Sequence, residues 1–257
     1  MDQQKKFVGV GVVLLLLSGC SFTNRLKSRN ELNIGVQAFA NNDYETSIKH
    51  FKVAIELDPE FLVPYSYMAT AYSAMFVPGS AQPENLEIAK NAIITFEEVL
   101  ERSPDDVNAI VNIAAIYYQL ADHDQSRQWC RKILEKEPDN AEALYRIGVI
   151  NFDISNDATG MTGDLVDLME DEEKEKIIEV IAEGVNVLED AIEINPAYFD
   201  AMHYLNLLYR EEAKFAADQS EENEILLKAD GMALKAMALE RTYLEREKAT
   251  RVIKDPN

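Results

Sequence analysis

The chain has 257 residues, 47% of them apolar, with 8 prolines and 10 glycines. That is enough apolar material for one repeat array or one ordinary domain with a sizeable core, and too little proline and glycine for long disordered linkers. Lysine and arginine number 25 against 46 aspartates and glutamates, a formal charge of -21, and a surface this acidic repels the phosphate backbone and sets nucleic-acid binding aside.

Lys5 and Lys6 open the chain with a short positive stretch. Phe7 to Leu17 follows as an unbroken apolar or glycine run of 11 residues, then the small Ser18 and Gly19, then Cys20. Such a run fits the apolar region of an export signal and is short for a spanning helix. Leu17-Ser18-Gly19-Cys20 resembles a bacterial lipobox. The resemblance implies cleavage before Cys20, a thioether-linked lipid on its sulfur, and further acylation of the new amino group. Several acyl chains anchor stably where one does not. The signal would then be residues 1–19, with the lipidated cysteine and a short tether at 20–28. The rival readings are an uncleaved N-terminal anchor and an ordinary cleaved signal. By the sorting rule of enteric bacteria, Ser21 points to the outer rather than the inner membrane, facing the periplasm. Arg25, Lys27 and Arg29 either sit near anionic headgroups or form a solvated tether.

The other cysteine is Cys130. With Cys20 lipidated it has no intrachain partner, and its apolar helical position predicts a buried small hydrophobe rather than a reactive thiol.

Beyond residue 28 the chain repeats itself. IELDP, LERSP, LEKEP and IEINP end at Pro59, Pro104, Pro138 and Pro196, at separations of 45, 34 and 58. Small residues or a substitute recur at Gly35, Ala69, Ala114, Gly148 and Asn206, at separations of 34, 45, 34 and 58. Both markers give a step of 34 with expansions of 11 and 24. A 34-residue, two-helix period resembles the tetratricopeptide repeat. The first unit carries Ile34-Gly35, Phe39, the turn Asn42-Asp43-Tyr44, Phe51, Ala54 and Pro59, with Ser47 where the family has alanine. Later units supply Tyr65, Ala69, Ala92 and Phe96; Ile113 and Ala114, with Ser126 and Cys130; Ile147, Gly148 and Ala191; and Leu205, Tyr209, Ala229 and Ala236, with Arg241 in place of proline.

The resemblance implies an all-α, tetratricopeptide-type solenoid of about five helix-turn-helix units over 29–241, the units near 28–61, 62–106, 107–140, 141–198 and 199–241. Residues 242–257 would form a capping helix and tail. Small residues let paired helices approach, aromatics fill the gaps between units, and each proline is expected to start the next helix. The expansions fall between the helices of a unit. One near Met75–Glu87 reads as a loop around Pro78-Gly79. One at 153–176 begins polar, passes Gly160 and Gly163, and turns helical around Leu165–Met169. One at 212–223 reads as two lengthened helices. All three should project from the same edge of the solenoid, either as a lid or partner-specific rim beside the groove or as tolerated decoration.

Little carries chemistry. His50, His123 and His203 lack metal spacing, and no phosphate loop or nucleophile elbow is present. Asp153–Asp157 resembles the start of a calcium loop but has Ala158 where glycine is required. No cofactor and no enzymatic activity are expected. In the repeat family the first helix of each unit lines the inner groove. Mapped here, that face is Val63, Ser66 and Thr70; Asn108, Val111, Ala115 and Tyr118; Glu142, Tyr145, Val149 and Phe152; then Asp200, His203 and Leu207. It is mainly apolar and aromatic, and lacks the basic set that similar repeats use to clamp a C-terminal carboxylate. The resemblance implies a lipid-anchored scaffold presenting a groove to an envelope protein or peptide. The alternative is a ligand-handling component of a periplasmic transport system, marked by a closed apolar cavity under 153–176.

Overall fold

The computed structural model describes the backbone of residues 3–254 and the side chains of 22–248. Ten α-helices and one short 3-10 turn make up the described chain. Contacts divide it into two compact units, residues 1–121 and 122–257.

The first unit holds α1 (Gln3–Ala40), α2 (Tyr44–Leu57), α3 (Leu62–Met75), α4 (Pro83–Arg102) and α5 (Val107–Gln119). Consecutive helices pack on one another, α1 on α2, α2 on α3, α3 on α4 and α4 on α5. The second unit holds α6 (His123–Lys136), α7 (Ala141–Thr159), α8 (Asp171–Ile194), α9 (Phe199–Ala213) and α10 (Gln219–Lys254), again packed in sequence order, with a further contact between α7 and α9.

The four proline sites are turns, and here the structure corrects the expectation that proline starts a helix. Pro59, Pro104, Pro138 and Pro196 each follow a helix C-cap: Asp58, Ser103, Glu137 and Asn195. Each cap residue leaves the helical region (φ -145, -138, -131 and -125, ψ 79 to 88), because a residue before proline clashes with the ring in the α conformation. Its amide still closes onto the last turn, as in Asp58 to Ala54 at 3.1 Å. Its carbonyl then accepts the amide three residues on, as in Phe61 to Asp58 at 3.0 Å and Asn140 to Glu137 at 3.0 Å. Proline therefore occupies the second position of a tight turn, where its fixed φ is an advantage. Asp43, Asp106, Asp122 and Asn140 cap the helices that follow, each accepting an amide three residues on at 2.9–3.2 Å.

Small residues mark the closest helix approaches. A Cβ on Gly35 would stand 2.5 Å from the Phe51 ring, and one on Gly148 would stand 2.4 Å from Leu188 Cγ. Ala54, Ala69, Ala92, Ala191, Ala201, Ala229 and Ala236 are fully buried.

Two further expectations change. Residues 242–253 form no separate cap: without proline at 241, α10 runs unbroken through Arg241. The 212–223 expansion is not simply two longer helices, because Lys214–Asp218 separates α9 from α10. The backbone of 20–28 is helical within α1, and the Ser28 hydroxyl donates to the Ala54 carbonyl at 2.7 Å. The side chain of Cys20 lies outside the described residues.

Gly148 and Gly231 make a paired test. Alanine normally favours a helix interior over glycine by about 1 kcal/mol. Gly231→Ala, with nothing near its added Cβ, is expected to raise the urea midpoint accordingly. Gly148→Ala is expected to lower stability by about 1–3 kcal/mol, because the added atom overpacks Leu188.

Candidate functional site

The expected groove residues of the first unit lie on α3 and α5. Val63, Thr70 and Asn108 are exposed, and Ser66, Val111 and Tyr118 are half-buried. The Thr70 hydroxyl donates to the Ser66 carbonyl at 2.8 Å within α3. Tyr67, which the groove assignment passed over, stacks with Phe51 at 5.6 Å and meets Phe39 edge-on at 6.2 Å.

In the second unit the corresponding residues lie on α7 and α9, and four aromatic rings come together there. Tyr145 lies 5.0 Å from Tyr198 and meets Tyr204 edge-to-face at 5.7 Å. Phe152, two helical turns on, meets the same Tyr204 ring edge-on at 5.8 Å. Such pairs contribute about 0.5–1.5 kcal/mol each beyond their burial. The Tyr198 hydroxyl donates to Glu142 Oε2 at 2.6 Å, so the residue before α9 is tied to the first turn of α7. Burial and that carboxylate push the Tyr198 phenol far above its usual range. Tyr204 is raised as well, by burial and then by the charges of Asp153 and Asp200. The face is thus aromatic with an acidic surround. Its basic group Arg146 is engaged with Glu142 at 3.0 Å.

One assignment changes. Val149, expected to line the groove, is buried at 7% exposure. Asp153–Asp157 lies inside α7. His203 is half-exposed, with Nε2 3.6 Å from Glu240 on α10.

Behind the aromatic face, a polar network joins α6, α7 and α8. Asn151 is fully buried. Its amide donates to the Val180 carbonyl and to Glu183, each at 3.0 Å, and its carbonyl accepts from Arg127 at 3.1 Å. Arg131 also pairs with Glu183. Burial pushes the Glu183 carboxyl up, but the hydrogen bonds from Arg131 and Asn151 and the charges of Arg131 and Arg127 outweigh it, holding the group below the usual range.

The 153–176 expansion is a built structure. α7 extends to Thr159, a loop with positive φ at Gly160 and Gly163 follows, and Val166–Leu168 makes a single 3-10 turn where a longer helical stretch was expected. From α9, the buried Glu211 pairs with the adjoining, half-buried Lys214 at 2.7 Å. Lys214 Nζ also donates to the Gly160 carbonyl at 2.8 Å, and the Thr159 hydroxyl donates to Glu211 at 2.7 Å. The loop at Phe76–Gln82 is held in the same manner. Asn85, on the first turns of α4, accepts from the Val77 amide and donates to the Val77 and Ser80 carbonyls at 2.8–2.9 Å.

Cys130 is fully buried, and burial pushes its thiol up to about 11. It is a core residue.

Residues 89–146 match the tetratricopeptide repeat family model. No curated protein matches the sequence significantly. Solved structures show the fold. A crystal structure of MamA superposes with a TM-score of 0.59 at 12% identity, covering 85% of this chain and 94% of that one. MamA from Desulfovibrio magneticus RS-1 gives 0.57 at 17% identity, with 84% and 96% covered. YrrB, described as a TPR protein with an unusual peptide-binding site, gives 0.51 at 15% identity, with 82% and 90% covered. At these identities the likeness establishes an all-α, tetratricopeptide-type fold.

Lys214→Met leaves the Glu211 charge buried without its partner, and is expected to cost about 3–5 kcal/mol in urea unfolding and to open 160–170 to protease. Because the Glu183 carboxyl is depressed in the folded state, its stabilisation is present above the ordinary carboxylate range and is lost as pH falls through the folded value. Glu183→Gln should flatten that acid limb in urea midpoints measured between pH 6 and pH 3.

Proposed function

We propose that the chain is a non-catalytic scaffold that binds a protein or peptide partner on the first-helix face of its repeats. The observation that carries this reading is the cluster of Tyr145, Phe152, Tyr198 and Tyr204 on α7 and α9. Half-buried aromatics offer large contact area at little entropic cost and recur where binding energy concentrates. The acidic surround and the engagement of Arg146 with Glu142 favour an apolar segment with basic flanks over a C-terminal carboxylate. Extended peptides and amphipathic helices both dock on such surfaces. YrrB's peptide-binding site, on a repeat fold of the same kind, lends support.

We place this scaffold at the periplasmic side of a membrane, the outer membrane in preference, held by a lipid on Cys20 and serving an envelope assembly or transport machine. The support is the run Leu17-Ser18-Gly19-Cys20 behind a positively charged, apolar segment. No helix among the described residues is long and apolar enough to cross a membrane. A tether of this kind raises local partner concentration without new contacts.

Two experiments test the reading separately. Cys20→Ala should abolish incorporation of radiolabelled palmitate and shift the protein out of the membrane fraction; unchanged labelling would exclude the lipid anchor. A photo-crosslinking residue placed at Asp200 or His203 in intact cells should capture one discrete partner. Tyr145→Ala combined with Tyr204→Ala should reduce that capture at least tenfold with helical content unchanged. Undiminished capture would remove the aromatic face from the interface.

A further inference from the structure

A cleft of about 310 Å3 lies between α8, the α9–α10 turn and the start of α10. It sits on the second-helix side of its unit: Glu212 comes from the end of α9, and the rest of the lining from α8, the α9–α10 turn and the start of α10. Ile178, Ile181 and Val185 of α8 form one wall, and Phe215, Ala216 and Ile225 form the other. The volume falls at the lower end of ligand sites, about 300–1,000 Å3. It suits one large apolar side chain with a neighbouring polar head.

Three polar residues line the same cleft: Asn186, Glu212 and Glu221. Glu221 is engaged, its Oε2 accepting the Ala217 amide at 2.7 Å. The Glu212 carboxylate receives no hydrogen bond among the described residues. Burial pushes its carboxyl above the usual range; Lys228 opposes this, and the charges of Glu189 and Glu221 reinforce it. The Glu189 carboxylate is itself occupied, accepting from the Tyr209 hydroxyl at 2.7 Å. Glu212 is therefore a partly desolvated carboxylate beside an apolar wall, with the like charges of Glu189 and Glu221 set against the single cation Lys228. An anionic ligand such as a fatty acid would add to that repulsion. A cation joined to an apolar group relieves it, because the ammonium or guanidinium pairs with Glu212 while the apolar part covers Ile178 and Phe215.

We propose that this cleft is a second binding site, which takes a peptide segment carrying a large apolar side chain flanked by lysine or arginine. Ile178, 46% exposed, is the apolar contact, and Glu212 fixes the register of the cation. The cleft shares no lining residue with the aromatic face, so a partner held there leaves the cleft free for a second segment.

Fluorescence anisotropy of the full chain with a fluorescein-labelled peptide Gly-Ser-Lys-Phe-Lys-Ser-Gly tests this. Saturable binding is expected, at least tenfold tighter than to the analogue with glutamine at both lysines. Glu212→Gln, which keeps the shape of the side chain, and Ile178→Ser, at an exposed position, should each weaken it about tenfold. The Tyr145→Ala, Tyr204→Ala protein should bind it unchanged. Equal affinity for the two peptides, no saturable binding, or full affinity in the folded Ile178→Ser protein would overturn the proposal. Loss confined to the tyrosine variants would assign the peptide to the aromatic face and overturn the cleft while leaving the scaffold reading intact.

Discussion

The closeness of paired helices governs the rest of the molecule. Where Gly35 faces Phe51 and Gly148 faces Leu188, no Cβ fits between the helices. Backbone approach of that kind lets one large side chain seal a helix pair, and Phe51 and Leu188 are fully buried as a result. A pair cannot cover its own outer surface, so the next helix must, and consecutive packing follows within each unit. The pre-proline turns reinforce this by ending each second helix at a set place. A residue before proline cannot remain helical at low cost, and the next helix resumes three residues after the ring.

The two ordered loop expansions share a physical solution. A polar loop laid against an apolar stack must satisfy its backbone groups without a helix or sheet to do so. Asn85 serves one loop with its amide, and Glu211 with Lys214 and Thr159 serves the other. Both anchors are side chains from a helix, and both work through few, well-directed bonds. The result is that extra length between the helices of a unit leaves the helix pairing undisturbed.

The repeat phase was legible because it rests on residue types that tolerate no alternative. Gly and Ala at helix crossings and proline at turns recur at a fixed interval, and the helices lie where that interval places them. Arg241 was legible as a departure, but its consequence was not: nothing in the sequence after it marks a break, and α10 simply continues. The role of proline was misassigned because a proline that opens a turn and one that opens a helix stand only three residues apart. Within the candidate site, Tyr145 and Phe152 were found by helical phase. Tyr204 and Tyr198 were missed, because the ring contacts depend on how α9 seats against α7, and that is a tertiary fact. Val149 shares the helical phase of the face yet is buried, for the same reason. The Glu211–Lys214 pair could not be picked out, since an acid and a base three residues apart are commonplace in a chain with 46 acidic side chains.

That ion pair gives the loop after α7 a distinctive response to heat. Hydration of charged groups becomes less favourable as temperature rises, so the cost of keeping Glu211 and Lys214 out of water shrinks on warming, while the gain from apolar burial levels off. Exposed loops ordinarily fray ahead of the body that carries them. Here the attachment of Gly160 to α9 strengthens relative to the helix packing beneath it. The expansion is thus fastened by the one kind of contact in its neighbourhood that warming favours, and it should part from α9 only when the helices themselves separate.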